Sequence, residues 1–400
     1  MPDPSSDFPN HLNGLHRLWL FCICGGMLIY FTQVTVLFPV LPLYVTERWQ
    51  ESSVGFVVGA MAAGLLCFRP VIGWLIDRWG RKPVLWLGLC IMLVVLPLYA
   101  GSPTPIWLMG VRVLHGISQA AFATASQTML VDLVPLNRRT AMLGYLAMSN
   151  TIGFSLGPLL GLLIFAQAGF LSVLFLLAGL TVLGIVLSLP LPWKSSSPTQ
   201  ASPKQANPKQ ARRSFPWKVI LQFPVRDATL LFFISSFLHG AIVTFLPLFI
   251  PNAALFYSLN ALVAVLVRFG LGRWGNQISQ RWVISLGILC SGSALIGLSI
   301  APQFLILWSI VYGLGFGSLF PVLSAIVSLA TPGAVRGRVY SVFLAGFDGG
   351  MTLGGAGVQP LIQVLPLSVV FLTLGSIGCG ASLFALRQFD QPIVVSQTAE

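Results

Sequence analysis

The stretch RPVIGWLIDRWGRKPVLWLG, residues 69–88, carries five charged side chains within residues 69–82 and lies between two long apolar runs. The whole chain of 400 residues is only 8% charged and is 56% hydrophobic, with a mean hydropathy of +0.87. A soluble protein does not reach such values, because its surface must be largely polar. The sequence therefore predicts an integral membrane protein, in which this stretch connects two membrane-spanning segments.

Apolar segments recur over residues 17–190 and again over residues 228–387. Each is close to the roughly 20 residues that a membrane-spanning helix needs, and we count twelve of them. Lipid offers no hydrogen-bond partners to an open backbone, and the segments lack the alternating pattern of membrane barrels. We therefore predict an all-α membrane protein with twelve transmembrane helices.

The basic residues are sorted by side of the membrane. The chain has 22 Lys and Arg against 10 Asp and Glu, a net charge of +12. If successive loops alternate across the bilayer, nearly all loop Lys and Arg lie on the side of residues 69–88, whereas Arg48 lies on the other. By the positive-inside rule this predicts a multi-pass inner-membrane protein with both termini in the cytoplasm. The sorting also explains the charge without a nucleic-acid partner, and we expect none.

A polar segment divides the spans into six and six. Residues 194–214, KSSSPTQASPKQANPKQARRS, can neither enter lipid nor build a core. The first sixteen residues are polar and acidic, so we expect no signal peptide. The six cysteines all fall in predicted spans without disulfide or metal spacing, and we expect no metal site. The predicted organisation is a cytoplasmic tail over 1–16, a six-helix lobe over 17–192, a cytoplasmic linker over 193–226, a second six-helix lobe over 227–388 and a cytoplasmic tail over 389–400.

The opening stretch has an internal copy. Residues 69–88 align without gaps on RFGLGRWGNQISQRWVISLG, residues 268–287, with Asp77 opposite Asn276 and Lys82 opposite Arg281. Duplicated halves are typical of two-lobed secondary transporters, which bind substrate between the lobes near the midplane. The link between the seventh and eighth spans is six residues shorter than its counterpart, which predicts a cramped connection there.

Within the opening stretch, the pattern G-x-L-x-D-R-x-G-R-K resembles the loop signature of the major facilitator superfamily. The resemblance implies two pseudo-symmetric six-helix lobes and a conformational latch of the outward-open state. In that latch the aspartate faces the start of the eleventh span, and basic residues pair with a carboxylate at the end of the fourth. We therefore expect Arg78 or Arg81 to contact Asp132; the alternative is that the charges only set topology. The expected latch residues are Gly73, Asp77, Arg78, Gly80, Arg81, Lys82 and Asp132.

The fifth span contains a glycine pattern, G-x8-G-x3-G-P-x2-G, formed by Gly144, Gly153, Gly157, Pro158 and Gly161. It resembles the antiporter signature of the drug:proton exporters in the superfamily. Glycines on one helix face allow a neighbouring helix to approach closely, and a proline bends the helix. The alternative interpretation is helix packing without any meaning for transport.

The fourth span contains Leu108, Arg112, His115 and Gly116, which resemble the family pattern L-x-x-x-R-x-x-Q-G with His in place of Gln. An arginine within a span should face protein or water and have a partner. The resemblance to exporters implies that Arg112 takes part in proton transfer. The alternative is a packing role in which it binds backbone carbonyls.

Asp348 lies about ten residues into the eleventh span, near mid-depth by the rise of a helix. A carboxyl group at that depth is a candidate proton carrier. Arg69 lies at a similar depth, and internal symmetry relates Asn150 to Asp348 and Arg268 to Arg69. We therefore expect contacts of Arg69 with Asp348 and of Arg268 with Asn150 between the lobes. The alternative is that Asp348 caps backbone within its own lobe.

Four more polar residues are candidates for the central cavity. They are Gln33, His115, Gln119 and His239, on the first, fourth and seventh spans. Imidazole can relay protons near neutral pH. The alternative for each histidine is a hydrogen-bonded packing role.

These features favour a monomeric exporter of small amphipathic or apolar compounds that works by alternating access. We expect it to use the proton gradient and no cofactor. A symporter or facilitator of sugars or other neutral solutes is the first alternative, and a non-transporting membrane sensor is the second. The sequence contains no metal-ligand spacing, Ser/His/Asp set or phosphate loop that would indicate an enzyme.

Overall fold

The computed structural model describes residues 14–49, 53–134, 139–193, 217–274, 278–331 and 336–389. These residues are almost entirely α-helical and contain no β-strand, which confirms the predicted all-α class. The helices are α1 Gly14–Arg48, α2 Val54–Trp79, α3 Arg81–Ala100, α4 Pro105–Leu133, α5 Arg139–Ser188, α6 Trp217–Ile220, α7 Val225–Phe249, α8 Ala253–Trp274, α9 Gln280–Ile300, α10 Leu305–Ala330, α11 Arg336–Thr352, α12 Gln359–Ile362 and α13 Leu367–Gln388. A π-helical turn, Leu353–Gly357, leads from α11 towards α12.

The described helices account for the twelve predicted spans. Nine stretches are long and apolar enough, by length and composition, to cross a membrane. Helix α5 is two segments joined at Gly169, whose φ of 74° lies in the region that favours glycine. Counting α5 twice and adding α4 and α11, which are outside the nine, gives twelve.

Helices α1 and α7 begin before the lobe boundaries expected from the sequence. Helix α1 begins at Gly14, before the expected start at residue 17, and α7 begins at Val225, before residue 227. The bulk of the expected linker, residues 194–216, lies outside the described residues, as do residues 1–13 and 390–400 of the two tails. Helices α7 and α8 are joined by only three residues, 250–252, which agrees with the short connection expected from the sequence.

Glycine stripes bring together equivalent helices in the two halves. In the first half, α1 to α5, a Cβ added at Gly153, Gly157 or Gly161 would collide with the backbone of α1. In the second half, α6 to α13, a Cβ at Gly350 or Gly354 would collide with the backbone of α7 in the same way. The approach of α5 to α1 is therefore repeated by the approach of α11 to α7, as expected for duplicated halves.

Successive spans run in opposite directions, so their connections lie at two opposite ends of the bundle. The basic end contains the connection between α2 and α3 with Arg78, Arg81 and Lys82, and the opposite end contains the start of α2 after Arg48. Contacts such as Lys82 with the carbonyl of Leu189 fix this antiparallel arrangement. The two ends differ in how the halves meet.

Buried apolar residues form two clusters that define where the halves separate. One cluster contains the first half together with second-half residues of the opposite end, over ranges such as 238–257 and 294–312. The other cluster is confined to the basic end of the second half, over ranges such as 220–232 and 319–327. Among the described residues, the halves therefore share an apolar core at the opposite end but not at the basic end, and we call the separation of the two clusters at the basic end the cleft.

Candidate functional site

An ion pair joins the two halves beside the cleft. Arg69 on α2 and Asp348 on α11 approach to 3.1 Å between Nη2 and Oδ2, with side chains 34% and 14% exposed. The expected contact is therefore present, and the carboxylate pairs across the halves rather than with backbone of its own half. Charges within a membrane are costly unless paired, so this contact opposes separation of α2 from α11.

Arg268, the counterpart of Arg69, has a different partner from the one expected. Its Nε donates to the carbonyl of Gly317 on α10, 3.2 Å away. That carbonyl lacks its usual donor because Pro321, four residues later, has no N–H. Asn150 Oδ1 is buried without a hydrogen-bond partner. The expected hydrogen bond from Arg268 to Asn150 is thus absent, because the orphaned carbonyl within its own half takes the guanidinium.

Two phenylalanines flank the polar residues of the site. Phe154 lies one turn beyond Asn150 on α5, and its ring centroid is 6.5 Å from that of Phe347, the neighbour of Asp348. Phe154 stacks on Phe31, with centroids 5.6 Å apart, and Phe347 stacks on Phe232, 5.1 Å apart. The ring of Phe347, the residue before Asp348, therefore meets an aromatic residue of the other half.

Arg112 and His115 lie inside the first half rather than on the cleft wall. Arg112 is 1% exposed and donates through Nη2 to the carbonyl of Val58 on α2 at 3.3 Å, while its Nε and Nη1 have no hydrogen-bond partner. His115 is fully buried and is hydrogen-bonded through Nδ1 to the hydroxyl of Tyr99 on α3, 3.1 Å away. The expectation that His115 lines the cavity was wrong, because this side of α4 faces α3.

His239 is also enclosed by protein. Its Nδ1 is hydrogen-bonded to the hydroxyl of Tyr312 at 2.9 Å, and its ring stacks on Phe316 with centroids 3.9 Å apart. These partners are on α10, and His239 is only 6% exposed. The structure therefore gives His239 the packing contacts that were the alternative to a cavity role.

The two glutamines differ in their surroundings. Gln33 is 1% exposed, and its Oε1 accepts a hydrogen bond from Thr181 in the second segment of α5. It therefore faces the interior of the first half, and the cavity expectation for it was wrong. Gln119 on α4 is half-buried.

One contact of the expected latch is formed. Arg81 Nε and Asp132 Oδ2 are 2.7 Å apart, and Gly80 makes the turn into α3 with a φ of 92°. Asp77 is exposed, and residues 332–335, before the start of α11, lie outside the described residues. A Cβ at Gly73 would meet nothing within 4 Å, so no close helix packing requires a glycine at this position in the structure.

Arg78, the other expected partner of Asp132, makes a different contact. The exposed Arg78 guanidinium lies over the ring of Trp74, 5.3 Å from its centroid. Asn276 and Gln277, which replace charged residues in the second copy, lie outside the described residues. The latch contact within the described chain is therefore the one between Arg81 and Asp132.

The geometry agrees with a comparison of the chain with protein families. The model of the Major Facilitator Superfamily matches residues 23–254 and residues 250–398, which together span most of the chain. The chain belongs to the Major Facilitator Superfamily. This chain is therefore a membrane transport protein rather than an enzyme.

Two similar proteins align with most of the chain. The staphylopine export protein of Staphylococcus aureus (strain Mu50 / ATCC 700699) is 23% identical over 87% of this chain and 90% of its own length. The multi-drug resistance efflux pump PmrA of Streptococcus pneumoniae serotype 4 (strain ATCC BAA-334 / TIGR4) is 22% identical over 91% of this chain and 94% of its own. Among solved structures, a mutant of the nucleoside transporter NupG matches with a TM-score of 0.69 and 17% identity, over 93% of this chain and 98% of its own. This last likeness supports the fold.

In this member of the superfamily, Lys82 anchors α3 to the end of α5. Its Nζ donates to the carbonyls of Leu189 at 2.9 Å and Leu191 at 2.7 Å, beside the rings of Trp86 and Trp193. Carbonyls at a helix C-terminus lack intrahelical donors and attract cations. Lys82 therefore stabilises the first half itself, a role that the signature alone did not indicate.

Replacing Lys82 should destabilise the protein. We expect Lys82→Met to lower stability by roughly 2–3 kcal/mol, since two charged hydrogen bonds to carbonyls are lost. The melting temperature in detergent measures this change. Lys218→Met, which removes the same charge from an exposed side chain, is the matched control and should leave it unchanged. Equal decreases in both variants would contradict the anchoring role.

Proposed function

We propose that this chain is a proton-coupled exporter of small amphipathic or apolar compounds, acting by alternating access in the inner membrane. The observation that carries the proposal is the ion pair between Arg69 and Asp348, which joins the halves beside the cleft. It couples a titratable carboxyl group to the separation of the halves. A transporter that exchanges protons for cargo needs such a group.

Protonation of Asp348 removes one charge of the pair and weakens the contact between α2 and α11. In the state described, the cleft is open at the basic end and the carboxylate is paired. Cargo enters this cleft, and the alternative state, open at the opposite end, admits protons to Asp348 and releases cargo outside. A proton can shift this equilibrium only because it interacts differently with the two states.

The distribution of charge supports the orientation. Lys and Arg of the loops collect at the basic end, so we place that end and both termini in the cytoplasm. Cargo then moves outward while protons move inward down their gradient. The gradient is the energy source, with no cofactor, and the transporter acts as a monomer without nucleic acid.

Two further observations support an apolar or amphipathic cargo. The site combines aromatic surface from Phe154 and Phe347 with a single charged pair. A highly charged cargo would need several fixed countercharges. Two relatives are named an export protein and a multi-drug resistance efflux pump, which favours export over sugar symport or facilitation and over a sensor.

Everted membrane vesicles test the direction and the cargo class together. Vesicles that contain the chain should accumulate a fluorescent amphipathic dye when their interior is acidified, and collapse of the pH gradient should release it. Vesicles from the same host without the chain are the control. Accumulation of a labelled sugar in place of the dye, or dye uptake that survives collapse of the gradient, would contradict the proposal.

A further inference from the structure

The start of α2 contacts the π-helical turn Leu353–Gly357 and the short helix α12 that follows it, at the opposite end. A Cβ added at Gly55 would lie 2.6 Å from the carbonyl oxygen of Gly355, and one at Gly59 would lie 2.6 Å from Cβ of Ala356. The two backbones therefore touch with no room for a side chain on α2. Because α2 and α12 belong to different halves, this contact exists only while the halves are closed at this end.

A hydrogen bond crosses this contact. The backbone N–H of Gly55 donates to Oε1 of Gln359. Gly55 is in the first turn of α2, where backbone N–H groups have no intrahelical acceptor. Gln359 is fully buried and is the first residue of α12. Gln359 thus supplies from the second half a cap for a helix of the first half.

The π-helical turn sets the position of Gln359. Over Leu353–Gly357 the helix departs from α geometry between α11 and α12. Within the turn, a Cβ at Gly354 would collide with the backbone of α7, and one at Gly355 would lie 2.9 Å from Thr244 Oγ1 on α7 and 3.8 Å from the Val58 side chain on α2. The turn is therefore held between α7 and α2, and the chain that follows it places Gln359 at the start of α2.

The capped turn is linked to the buried cation of the first half. The carbonyl of Val58, one turn after Gly55, accepts the hydrogen bond from Arg112. The first two turns of α2 are therefore fixed on one side by Arg112 within its own half and on the other by Gln359 from the second half.

We propose that Gln359 is a conformational latch for the state closed at the opposite end, an inference that rests on the alternating access of the proposed function. Opening this end removes the acceptor from the Gly55 N–H. A backbone N–H that is buried without an acceptor costs free energy. If the Gln359 amide is replaced, the Gly55 N–H lacks its acceptor in the closed state, so the closed state is destabilised relative to the open one.

Electron spin resonance distances in detergent test the latch without cargo or protons. In a background with the native cysteines replaced by alanine, Ile106→Cys and Val364→Cys place labels on the two halves at the opposite end, where both side chains are exposed. Trp79→Cys and Leu329→Cys do the same at the basic end. Gln359→Met removes the acceptor and keeps the length of the side chain, and Gln363→Met, one turn later and exposed, is the matched control.

We expect Gln359→Met, and not Gln363→Met, to raise the ratio of the longer to the shorter separation of labels 106 and 364 about tenfold. In the same variant, labelled separately at residues 79 and 329, the distance between these two labels should shorten. Unchanged distances in Gln359→Met would overturn the latch, as would a shift in the reverse direction. If the Met variant does not fold, Gln359→Asn removes the same contact by shortening the side chain, and the same outcomes apply.

Gly55→Ala separates the hydrogen bond from the packing around it. Its Cβ should force the two backbones apart and open the opposite end as well. A shift in Gly55→Ala without one in Gln359→Met would overturn the latch and leave packing as the cause of closure. A result that rejects the role of Gln359 does not contradict proton-coupled export. Conversely, absence of proton transport does not change the label distances expected here.

Discussion

Asp348→Asn is expected to abolish proton-driven cargo accumulation, reducing it to the rate of protein-free vesicles. Asn resembles the protonated carboxyl group in shape but cannot release or bind a proton, so the equilibrium between the two states no longer depends on the gradient. Exchange of labelled for unlabelled cargo, which needs no proton, should persist in the same proteoliposomes. Loss of accumulation with retained exchange separates uncoupling from unfolding.

The partner of Asp348 provides the control for structural damage. In Asp348→Asn the guanidinium of Arg69 keeps its charge but loses the carboxylate that lies 3.1 Å away. The double variant Arg69→Gln with Asp348→Asn removes both charges, and we expect it to regain melting temperature without regaining proton coupling. Recovery of proton-driven accumulation in the double variant would contradict the role of Asp348 as the proton carrier.

Gly157→Ala is expected to have the largest effect on stability. The added Cβ would collide with Thr35 Oγ1 on α1 and would lie 2.8 Å from the backbone nitrogen of Val36. Much of the obstacle is helix backbone rather than a flexible side chain, so α5 must move away from α1. We expect a cost of at least about 3 kcal/mol, at the upper end of measured overpacking. The melting temperature in detergent and the yield of monodisperse protein measure it.

Gly179→Ala is the matched control on the same helix. A Cβ at Gly179 meets nothing within 4 Å, so it introduces no collision. Alanine favours a helix over glycine by up to about 1 kcal/mol, and this variant should therefore be neutral or more stable. If Gly157→Ala were as stable as Gly179→Ala, the glycine pattern of α5 would not be a packing requirement.

The sequence was sufficient for the helices and for the contacts between oppositely charged side chains. Twelve apolar segments indicated the spans, and the similar depth of Arg69 and Asp348 in two of them indicated their pairing. The resemblance of the loop signature implied that Arg78 or Arg81 contacts Asp132, and the structure has the contact at Arg81. In both ion pairs the two side chains are charged. Because charged residues are rare in this chain, few alternative partners had to be considered.

Contacts to backbone atoms were not predictable in the same way. Arg268, Lys82 and Gln359 each bond to a backbone group, and a sequence does not mark which carbonyl or N–H lacks its partner. One signal was available for Arg268, because Pro321 leaves the carbonyl of Gly317 without a donor. The surroundings of His115 depended on which face of α4 packs against α3, and a helix that is apolar on most sides does not indicate this.

The aromatic surface of the site was also missed. Residue type alone does not distinguish Phe154 and Phe347 from the other phenylalanines of the chain, which contains 28. Their positions relative to Asn150 and Asp348 could have indicated them, because one lies a turn beyond the first and the other beside the second. Aromatic residues next to a polar group deep in a span are therefore worth examining in sequences of this kind.

Simultaneous recording of cargo and proton movement in proteoliposomes tests the central claim most directly. A pH-sensitive dye is enclosed with the purified transporter, and an amphipathic cargo is added outside without any imposed gradient. We predict that inward movement of cargo drives protons outward, so that the lumen becomes alkaline, and that this signal is absent with Asp348→Asn. Cargo uptake without a change in luminal pH, or with acidification, would contradict proton antiport.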